Sequence, residues 1–330
     1  MNKTVPNPQA KACGRDHPVT GHCLIWVSEI APSCGALASF AMVGSEELQA
    51  FDLLLWLGSG REVSLRSGRS QPTISRYAHR AAERLSLNIF KKDGQWQIDG
   101  EAPFLAMERQ THQLNRLLGR EPLRIEAAAV SGPRLLDPCP RGWICGRRNQ
   151  INLPHSLGLL RDRVIDAWIS TSVIDLPAHD IEGLQLIQLY RNPIWLVADR
   201  QHPLCQERGL CREDLRRFPS VGLRGGWYPV SQEHLRSRGL WSRPLRVQRY
   251  TRGQWEGRCA DGITLGYASP LMLALSPGLQ RLDHELDFDN GTALLVHRDC
   301  ADSAPVAELV AELQRRSHDL MRQHPQIVPA

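Results

Sequence analysis

The sequence predicts an α/β protein with a small all-α domain on its N-terminal side, and three observations lead to this fold class. Between residues 59 and 92, a short helix, a glycine turn and an amphipathic helix precede an alternating stretch. From Leu123 onward, short apolar runs alternate with amphipathic stretches, which favours an α/β sheet. The 330 residues allow about two or three domains, and no apolar run has the length of a membrane span.

The first 44 residues differ from the rest of the chain, because they contain four prolines and little hydrophobic periodicity. We expect residues 1–44 to form a disordered extension. An alternative is that translation begins at Met42. Although Cys13, His17, His22 and Cys23 lie close together, their spacing is poor for zinc, so no metal is expected.

Two helices are predicted next. Ser45 can cap the first, and Gly58 can end it. A brief second helix, roughly residues 60–66, follows Ser59, which is a good capping residue. Gly68 then supplies a turn, since glycine adopts positive φ at little cost. We expect the first helix to pack beneath the second helix and the one that follows it.

The third helix is capped by Ser70, and its apolar residues form one buried stripe at Ile74, Ala78, Ala81 and Leu85. Residues 59–92 contain eight Lys or Arg and two acids, a balance of +6 in a chain whose net charge is +5. A helix, a glycine turn and a second helix with basic surroundings indicate a helix-turn-helix that binds DNA. The expected DNA contacts on this helix are Ser70, Gln71, Pro72, Thr73, Ser75, Arg76, His79 and Arg80.

Basic side chains here would attract phosphates of any sequence, whereas Gln71, Thr73 and Arg76 can read base edges. The same pattern is also produced by a basic helical hairpin whose charged face is simply solvated, and that alternative stays open. An alternating stretch around Asp93-Gly94 predicts a β-hairpin, the wing of a winged helix-turn-helix over residues 45–100. We expect its Lys91, Lys92 and Gln95 to contact phosphate or the minor groove.

Residues 101–121 are predicted to form a linker, with a helix over roughly residues 102–118 followed by a break in the chain. Met107, Leu114, Leu117 and Leu118 are spaced like a seam for a partner helix. The alternative is a surface helix that packs only on its own domain. Beyond the break, strand candidates are residues 123–130, 164–170, 184–189, 194–198, 220–223, 245–249, 263–268 and 292–297. Helix candidates are 132–136, 154–162, 212–217, 230–238, 252–260, 270–274 and 304–321, and we expect parallel βαβ units.

The motif SQPTISR at residues 70–76 resembles the recognition helix of LysR-type transcriptional regulators. The similarity runs without a gap from Leu48 to Phe90. Four later segments, LRIEAAAV, LLRDRVIDAWIS, LYRNPIWLVADRQHPL and ADGITLGYASPLML, resemble parts of that family's effector-binding domain in the same order. The resemblance covers about Ser45 to Met321. It implies a two-lobed, periplasmic-binding-protein-like effector domain at residues 122–330.

The resemblance also implies partners: double-stranded DNA with an inverted-repeat operator, a small-molecule effector, further copies of the chain in a homodimer or homotetramer, and RNA polymerase. It implies a cytoplasmic protein that binds neither a membrane nor a cofactor. Effector-binding residues implied at matching positions are Ser131, Gly132, Ser170, Thr171, Arg224, Trp227 and Tyr228. Arg224 suggests a carboxylate ligand. The alternative is that Gly225-Gly226 forms a turn and that the two aromatic residues pack between lobes.

Nine scattered cysteines without a CxxC pair favour a reducing cytosol over a disulfide framework. Cys205 and Cys211 could form a redox pair, but ordinary thiols are the default expectation. The motifs GxSxG, HExxH, GxGxxG and the P-loop are absent, so no enzyme activity is expected. The alternative function is a stand-alone small-molecule-binding protein or enzyme whose N-terminal helices do not bind DNA.

Overall fold

The computed structural model describes residues 43–92, 95–100, 102–147, 153–222, 226–244 and 251–330. They belong to one unit that runs from Met42 to Ala330. The extension expected over residues 1–44 lies outside the described residues, except for Val43 and Gly44. The predicted Asp93-Gly94 turn and the predicted strand at 245–249 also lie outside them. None of the helices within these ranges has the length and apolar character required to cross a membrane.

In chain order, the described helices are α1 (Ser45–Leu57), α2 (Gly60–Ser67), α3 (Gln71–Arg84), α4 (Leu105–Leu117), α5 (Gly132–Leu135), α6 (Leu153–Arg161), α7 (Arg212–Arg216), α8 (Pro229–Ser237), α9 (Arg252–Cys259), α10 (Pro270–Ala274) and α11 (Ala304–Gln323). The strands are β1 (Asn88–Lys92), β2 (Gln95–Asp99), β3 (Leu123–Ala127), β4 (Trp143–Cys145), β5 (Ala167–Ser170), β6 (Leu184–Pro193), β7 (Trp195–Asp199), β8 (Val221–Gly222), β9 (Arg243–Pro244), β10 (Gly266–Ala268), β11 (Leu279–Arg281) and β12 (Asp289–His297).

Local capping explains where the first three helices begin and end. The hydroxyl groups of Ser59 and Ser70 each accept a hydrogen bond from a backbone N–H in the first turn of α2 and α3. Gly58 and Gly68 end α1 and α2 with φ of 71° and 69°. The prediction for α1 needs one correction: Ser45 is the first helical residue, and Gly44 occupies the cap position.

α1, α2, α3 and the antiparallel hairpin β1–β2 make up the helical domain. Phe51 and Leu54 of α1 share a core with Ala78 and Ala81 of α3. This core leaves the opposite face of α3 toward solvent, as the predicted apolar stripe requires. The helix α4 begins at Leu105, three residues later than predicted, and leads from the helical domain to β3.

The rest of the chain forms two lobes. The first lobe contains a five-stranded sheet in the order β4-β3-β5-β12-β6, and the second lobe contains the sheet β10-β7-β11 with the separate pair β8-β9. The predicted parallel βαβ units are present where β3 pairs in parallel with β4 and β5, whereas β12 runs antiparallel to both β5 and β6. Since β6 carries the chain towards the second lobe and β12 carries it back, the two strands must run in opposite directions. The predicted two-lobed α/β fold is otherwise confirmed.

The helical domain packs directly against the first lobe. Leu53, Trp56 and Leu57 of α1 belong to the same continuous core cluster as Leu153 and Leu157 of α6. Buried polar contacts follow the same boundary. Because apolar and polar contacts both cross it, the orientation of the helical domain is fixed by the first lobe in this structure.

Two buried hydrogen-bonded contacts and one half-buried contact tie α1 and α2 to the first lobe and to α4. Trp56 Nε1 donates to Glu126 Oε2 of β3 at 2.7 Å. Arg109 of α4 donates to Asp52 Oδ1 of α1 through Nε and Nη2, at 3.0 and 2.8 Å. Arg66 Nε of α2 donates to the carbonyl oxygen of Cys145 at 3.1 Å. Each contact joins residues more than fifty positions apart, so the boundary depends on tertiary folding.

The cysteine pattern differs from the expectation in one place. Cys139 and Cys145 form a disulfide that links the segment after α5 to β4, so the expectation of thiols alone is wrong for this pair. Cys205 and Cys211, the pair considered from the sequence, are both free thiols. Cys259 and Cys300 are free and buried.

Candidate nucleic-acid interface and ligand cleft

The exposed face of α3 presents the residues that the sequence predicts for DNA contact. Ile74 and Ala78 are fully buried beneath it, which fixes the rotation of the helix about its axis. The opposite face is exposed at Gln71, Pro72, Ser75, Arg76, His79 and Arg80, while Ser70 is exposed at the cap and Thr73 is half-buried. A helix with this arrangement can enter a major groove without disturbing its own core.

The cations of the helical domain fall into two groups. Arg66, Arg69 and Arg84 form ion pairs with Glu62, Glu46 and Glu47, at N–O distances of 2.6, 2.8 and 3.4 Å. Within the described ranges, no ion pair involves the exposed Arg76 or Arg80. Arg76 and Arg80 form the second group, and their side chains are therefore available for phosphate or base contacts.

The wing places its cations at the end of the hairpin where β1 ends and β2 begins. Lys91 lies opposite Trp96 and Lys92 lies opposite Gln95 in the β1–β2 register. The Lys91 ammonium lies 5.6 Å from the centre of the Trp96 ring, so the ring supports the extended side chain. Both lysines are exposed and Gln95 is half-buried. These three residues therefore lie where the sequence predicts the wing contacts.

The helix α4 has one buried face and one exposed apolar stripe. Arg109, Gln113 and Arg116 are buried against the helical domain and the first lobe. The exposed stripe consists of Met107, Leu114 and Leu118, whose exposed fractions are 66%, 53% and 70%. Leu117, which was predicted as part of the same seam, packs instead against the core of the first lobe.

A cleft lies between the two lobes. Its walls come from strand ends of both lobes. They include the two segments that cross between the lobes, one after the end of β6 and one before the start of β12. The residues that line it are Ala128, Ala129, Val130, Leu153, Ser156, Trp168, Ser170, Thr171, Ser172, Asn192, Ile194, Val221, Tyr228, Ser231, Leu235, Trp241, Trp255, Tyr267, Ala268, Ser269, Met272, Phe288 and Asn290. This is the position at which an α/β sheet commonly binds a ligand.

The predicted effector residues have four different outcomes. Ser170, Thr171 and Tyr228 line the cleft. Ser131 and Gly132 do not line it: Ser131 is fully buried and donates to the carbonyl oxygen of Ala128. Trp227 packs against the core of the lobes rather than lining the cleft. Arg224 lies outside the described residues.

Local hydrogen bonds position the aromatic wall of the second lobe. The backbone N–H of Trp241 donates to the hydroxyl oxygen of Tyr267 at 2.7 Å, and the two rings stack with centres 6.0 Å apart. Burial raises the pKa of Tyr267 and of Tyr228 well above the ordinary tyrosine value. Both phenols are therefore neutral at physiological pH.

The lobes are also joined behind this wall. Asp175, in the short 3₁₀ turn Val173–Asp175 of the first lobe, accepts hydrogen bonds from the backbone N–H and the hydroxyl of Ser231 at the start of α8. Burial raises the pKa of the Asp175 carboxyl, and these hydrogen bonds oppose the rise. Ser231 itself lines the cleft, so this carboxyl lies one side chain away from any bound molecule.

The sequence-based reasoning missed most of the cleft. Asn192 and Asn290 are paired neighbours on β6 and β12, and Asn192 Nδ2 donates to the Asn290 carbonyl oxygen at 2.9 Å. The indoles of Trp168, Trp241 and Trp255 form much of the wall. Nine tryptophans in 330 residues were a usable compositional signal, but their convergence depends on contacts between distant segments. The described residues contain no group of three or more His, Cys, Asp or Glu side chains placed to hold a metal.

Comparisons with known proteins agree with this geometry. Residues 150–317 match the family model described as the LysR substrate binding domain. A curated relative from Synechococcus elongatus, a "Probable nitrogen assimilation transcriptional activator", is 26% identical over 200 residues. That match covers 55% of this chain and 64% of the relative, so this chain spans less than two thirds of the relative's length.

Two solved structures from Pseudomonas aeruginosa share the fold. A full-length OxyR variant aligns with a TM-score of 0.51 at 14% identity, covering 83% of this chain and 97% of that chain. A second protein, titled a probable transcriptional regulator, aligns with a TM-score of 0.50 at 16% identity, covering 82% and 96%. At this level of identity, these similarities concern the fold alone.

Proposed function

The chain belongs to the LysR family of transcriptional regulators, and from that premise we propose that it is a DNA-binding regulator whose activity responds to a small molecule. The observation that carries this proposal is the face of α3, where Gln71, Arg76 and Arg80 are exposed above a fully buried apolar stripe. Gln and Arg are side chains that can form paired hydrogen bonds with base edges. The exposed lysines of the wing add sequence-independent phosphate contacts.

The proposed division of labour follows the predicted boundaries. Residues 45–100 bind DNA as a winged helix-turn-helix, residues 101–121 form the linker helix, and residues 122–330 bind the effector. The whole chain is proposed to act in the cytoplasm, as a regulator rather than as an enzyme. RNA polymerase is a further candidate partner for such a role.

We propose that two copies pair along α4. The exposed stripe of Met107, Leu114 and Leu118 would be covered by the same stripe of a second copy, at the spacing of a helix–helix seam. A twofold dimer presents its two recognition helices to two half-sites, which is why an inverted-repeat operator is expected. A tetramer would be formed by two such dimers.

The effector is proposed to bind in the cleft between the lobes. This cleft is the apolar, partly enclosed site that small ligands favour, and Ser170, Thr171 and Tyr228 contribute polar groups to it. The different-class alternative is a stand-alone ligand-binding protein or enzyme whose helical domain does not bind DNA. Measurement of DNA binding separates the two.

The test is fluorescence anisotropy of the full chain on DNA from its own upstream region, across a salt series. Several phosphate contacts predict that the logarithm of affinity falls steeply and linearly with the logarithm of salt concentration. The Arg76→Ala variant should lose about 1–3 kcal/mol of specific binding. The control is Arg200→Ala, which removes an exposed arginine of the second lobe. Weak, sequence-independent binding that is unchanged by Arg76→Ala would favour the stand-alone alternative.

A further inference from the structure

The disulfide between Cys139 and Cys145 lies at one edge of the first lobe's sheet. Cys145 is the last residue of β4, a strand of three residues at the end of the order β4-β3-β5-β12-β6. Cys139 lies six residues earlier, in the segment after α5. An edge strand pairs on one side only, so one short ladder with β3 attaches the backbone of β4 to the sheet. The disulfide adds a covalent tie at the end of this strand.

The same strand lies at the boundary with the helical domain. Ile144 packs against the core cluster that Trp56 and Leu57 of α1 share with the first lobe. The carbonyl oxygen of Cys145 accepts a hydrogen bond from Arg66 Nε of α2 at 3.1 Å. The residue that forms the disulfide therefore also contacts a helix of the candidate DNA-binding domain through its backbone.

The two residues after β4 continue this contact. Gly146 lies so close to the Glu126 carboxyl group that an added Cβ would overlap it, and the same carboxyl accepts the hydrogen bond from Trp56. Arg147 Nη1 lies 3.4 Å from the position that a Cβ would occupy on Gly58, at the end of α1. A displacement of the chain at the end of β4 would therefore disturb three separate contacts with α1 and α2.

The disulfide can be approached from solution on one side. Cys139 is exposed, whereas Cys145 is buried. Cytosolic disulfides, where they occur, are usually transient and serve catalysis or redox sensing. In a chain proposed to act in the cytoplasm, an exposed disulfide beside a domain boundary has the location of a reversible tie rather than of a permanent brace.

From these observations we propose that Cys139 and Cys145 form a reversible redox site, whose oxidised form holds β4 against the helical domain and whose reduction releases it. This inference rests on the proposed function only in taking the cytoplasm as the location and DNA affinity as one readout. It differs from the pair that the sequence suggested, because Cys205 and Cys211 lie in the second lobe and are free thiols.

The co-reactant is a dithiol, and the exchange takes two steps. A thiolate of the dithiol attacks Cys139 Sγ, the S–S bond breaks, and the Cys145 sulfur leaves and takes up a proton. The second thiol of the reductant then attacks the mixed disulfide, and the Cys139 sulfur leaves and takes up a proton. In total, two electrons and two protons pass to the protein, and the dithiol becomes a disulfide. A small-molecule disulfide such as oxidised glutathione reverses these steps.

The first measurement is the redox state of the two cysteines in the native full chain. The chain is treated with dithiothreitol and then with oxidised glutathione, and each sample is quenched in acid, denatured and alkylated. Mass spectrometry should find Cys139 and Cys145 alkylated only after dithiothreitol and protected again after oxidised glutathione. A native chain whose disulfide resists dithiothreitol would overturn the proposal, because the bond would then be a permanent brace.

Hydrogen exchange of the two forms tests the release of β4. The Gly146 N–H donates to the carbonyl oxygen of Ile125 at 2.9 Å, beyond the end of the ladder. Reduction should speed exchange of this amide at least about tenfold, because its local opening then costs less free energy. Amides of α2 should also exchange faster, while those of α9 in the second lobe serve as the control and should not change. Equal exchange of both forms at Gly146 and in α2 would overturn the proposal.

DNA anisotropy tests the consequence for the helical domain. The two redox forms can differ in DNA affinity only if they hold this domain differently. Reduction should change the affinity for the upstream DNA at least about fivefold, the lower end of typical allosteric coupling. The Cys139→Ser/Cys145→Ser variant should show no response to dithiothreitol, whereas the matched control Cys205→Ser/Cys211→Ser should respond like the unmodified chain. If the first variant does not fold, the two forms of the unmodified chain still give the comparison.

Failure of this proposal can be distinguished from failure of the proposed function. If the chain binds its DNA with the same affinity in both forms, the redox inference is wrong and the regulator stands. If the chain binds no DNA in either form, the regulator is wrong, and alkylation and hydrogen exchange still decide whether the redox site exists.

Discussion

The hydrogen bond between Trp56 and Glu126 joins the helical domain to the first lobe, and Trp56→Phe removes it. Glu126 Oε2 accepts from Trp56 Nε1 at 2.7 Å, while Oε1 accepts from the backbone N–H of Ala127 at 2.9 Å. Trp56 and Glu126 are 2% and 8% exposed, so water cannot replace the lost donor. Phenylalanine keeps an aromatic ring in the core and deletes the donor.

The expected cost comes from two contributions. A hydrogen bond to a charged buried group contributes about 1.5–3 kcal/mol. The smaller ring leaves an unfilled space in the core cluster, at a further cost of roughly 1 kcal/mol. We therefore expect Trp56→Phe to lower the free energy of unfolding by about 2.5–4 kcal/mol when Glu126 is ionised.

The pH dependence of stability gives an independent check on Glu126. Burial raises the pKa of the Glu126 carboxyl, although its hydrogen bonds with Ala127 and Trp56 partly oppose the rise. Between the ordinary glutamate pKa of about 4.3 and the raised folded-state pKa, the folded protein binds more protons than the unfolded chain. The free energy of unfolding must therefore fall as pH rises through that window. Glu126→Gln cannot titrate, so this part of the pH dependence should disappear.

The assay is urea denaturation of the wild type, Trp56→Phe and Glu126→Gln at several pH values, starting at about 4.5, just above the ordinary glutamate pKa, and ending at about 8. The difference between wild type and Glu126→Gln isolates this carboxyl from the other titrating groups. The reasoning is refuted if Trp56→Phe costs less than about 0.5 kcal/mol, the usual range for surface substitutions. It is also refuted if wild type and Glu126→Gln share the same pH dependence.

Two further predictions concern close packing and buried charge. Gly146→Ala should destabilise the fold by about 1–3 kcal/mol, because the new Cβ would overlap Glu126 Oε2, which its hydrogen bonds hold in place. The control, Gly158→Ala in α6, meets nothing within 4 Å and should stabilise by about 0.5–1 kcal/mol; equal effects in thermal denaturation would contradict both expectations. Asp166→Asn should cost about 3–5 kcal/mol in urea denaturation, because it leaves Arg116, 1% exposed, without its charged partner. A loss below about 1 kcal/mol, typical of an exposed pair, would show that the Arg116–Asp166 pair is solvated.

The helical domain could be predicted closely because its determinants are local. Ser59 and Ser70 cap the helices that follow them, and Gly68 adopts the positive φ that the turn requires. The stripe of Ile74 and Ala78 fixes which face of α3 is exposed. Each of these signals involves residues within about two helical turns of one another. Local sequence is therefore sufficient for the candidate DNA-binding face.

Features that depend on distant pairing could not be predicted in this way. Asn192 and Asn290 are 98 residues apart and meet only because β6 and β12 pair. The short strand β4 was missed, and with it the bond between Cys139 and Cys145. Leu117 has the spacing of the α4 seam, but its side chain reaches the core of the first lobe. In each case the deciding contact is made by an element that the local pattern does not contain.

The strand β3 connects the candidate DNA-binding domain to the ligand cleft. Glu126 accepts from Trp56 of α1 and lies opposite Trp168 in the β3–β5 register, and Trp168 lines the cleft. A ligand that contacts Trp168 can change DNA affinity only if it favours one arrangement of this connection over another. By thermodynamic reciprocity, DNA must then change the ligand's affinity by the same factor. If Glu126→Gln preserved both separate affinities and reduced that shared factor, β3 would be part of the coupling rather than a neighbour of it.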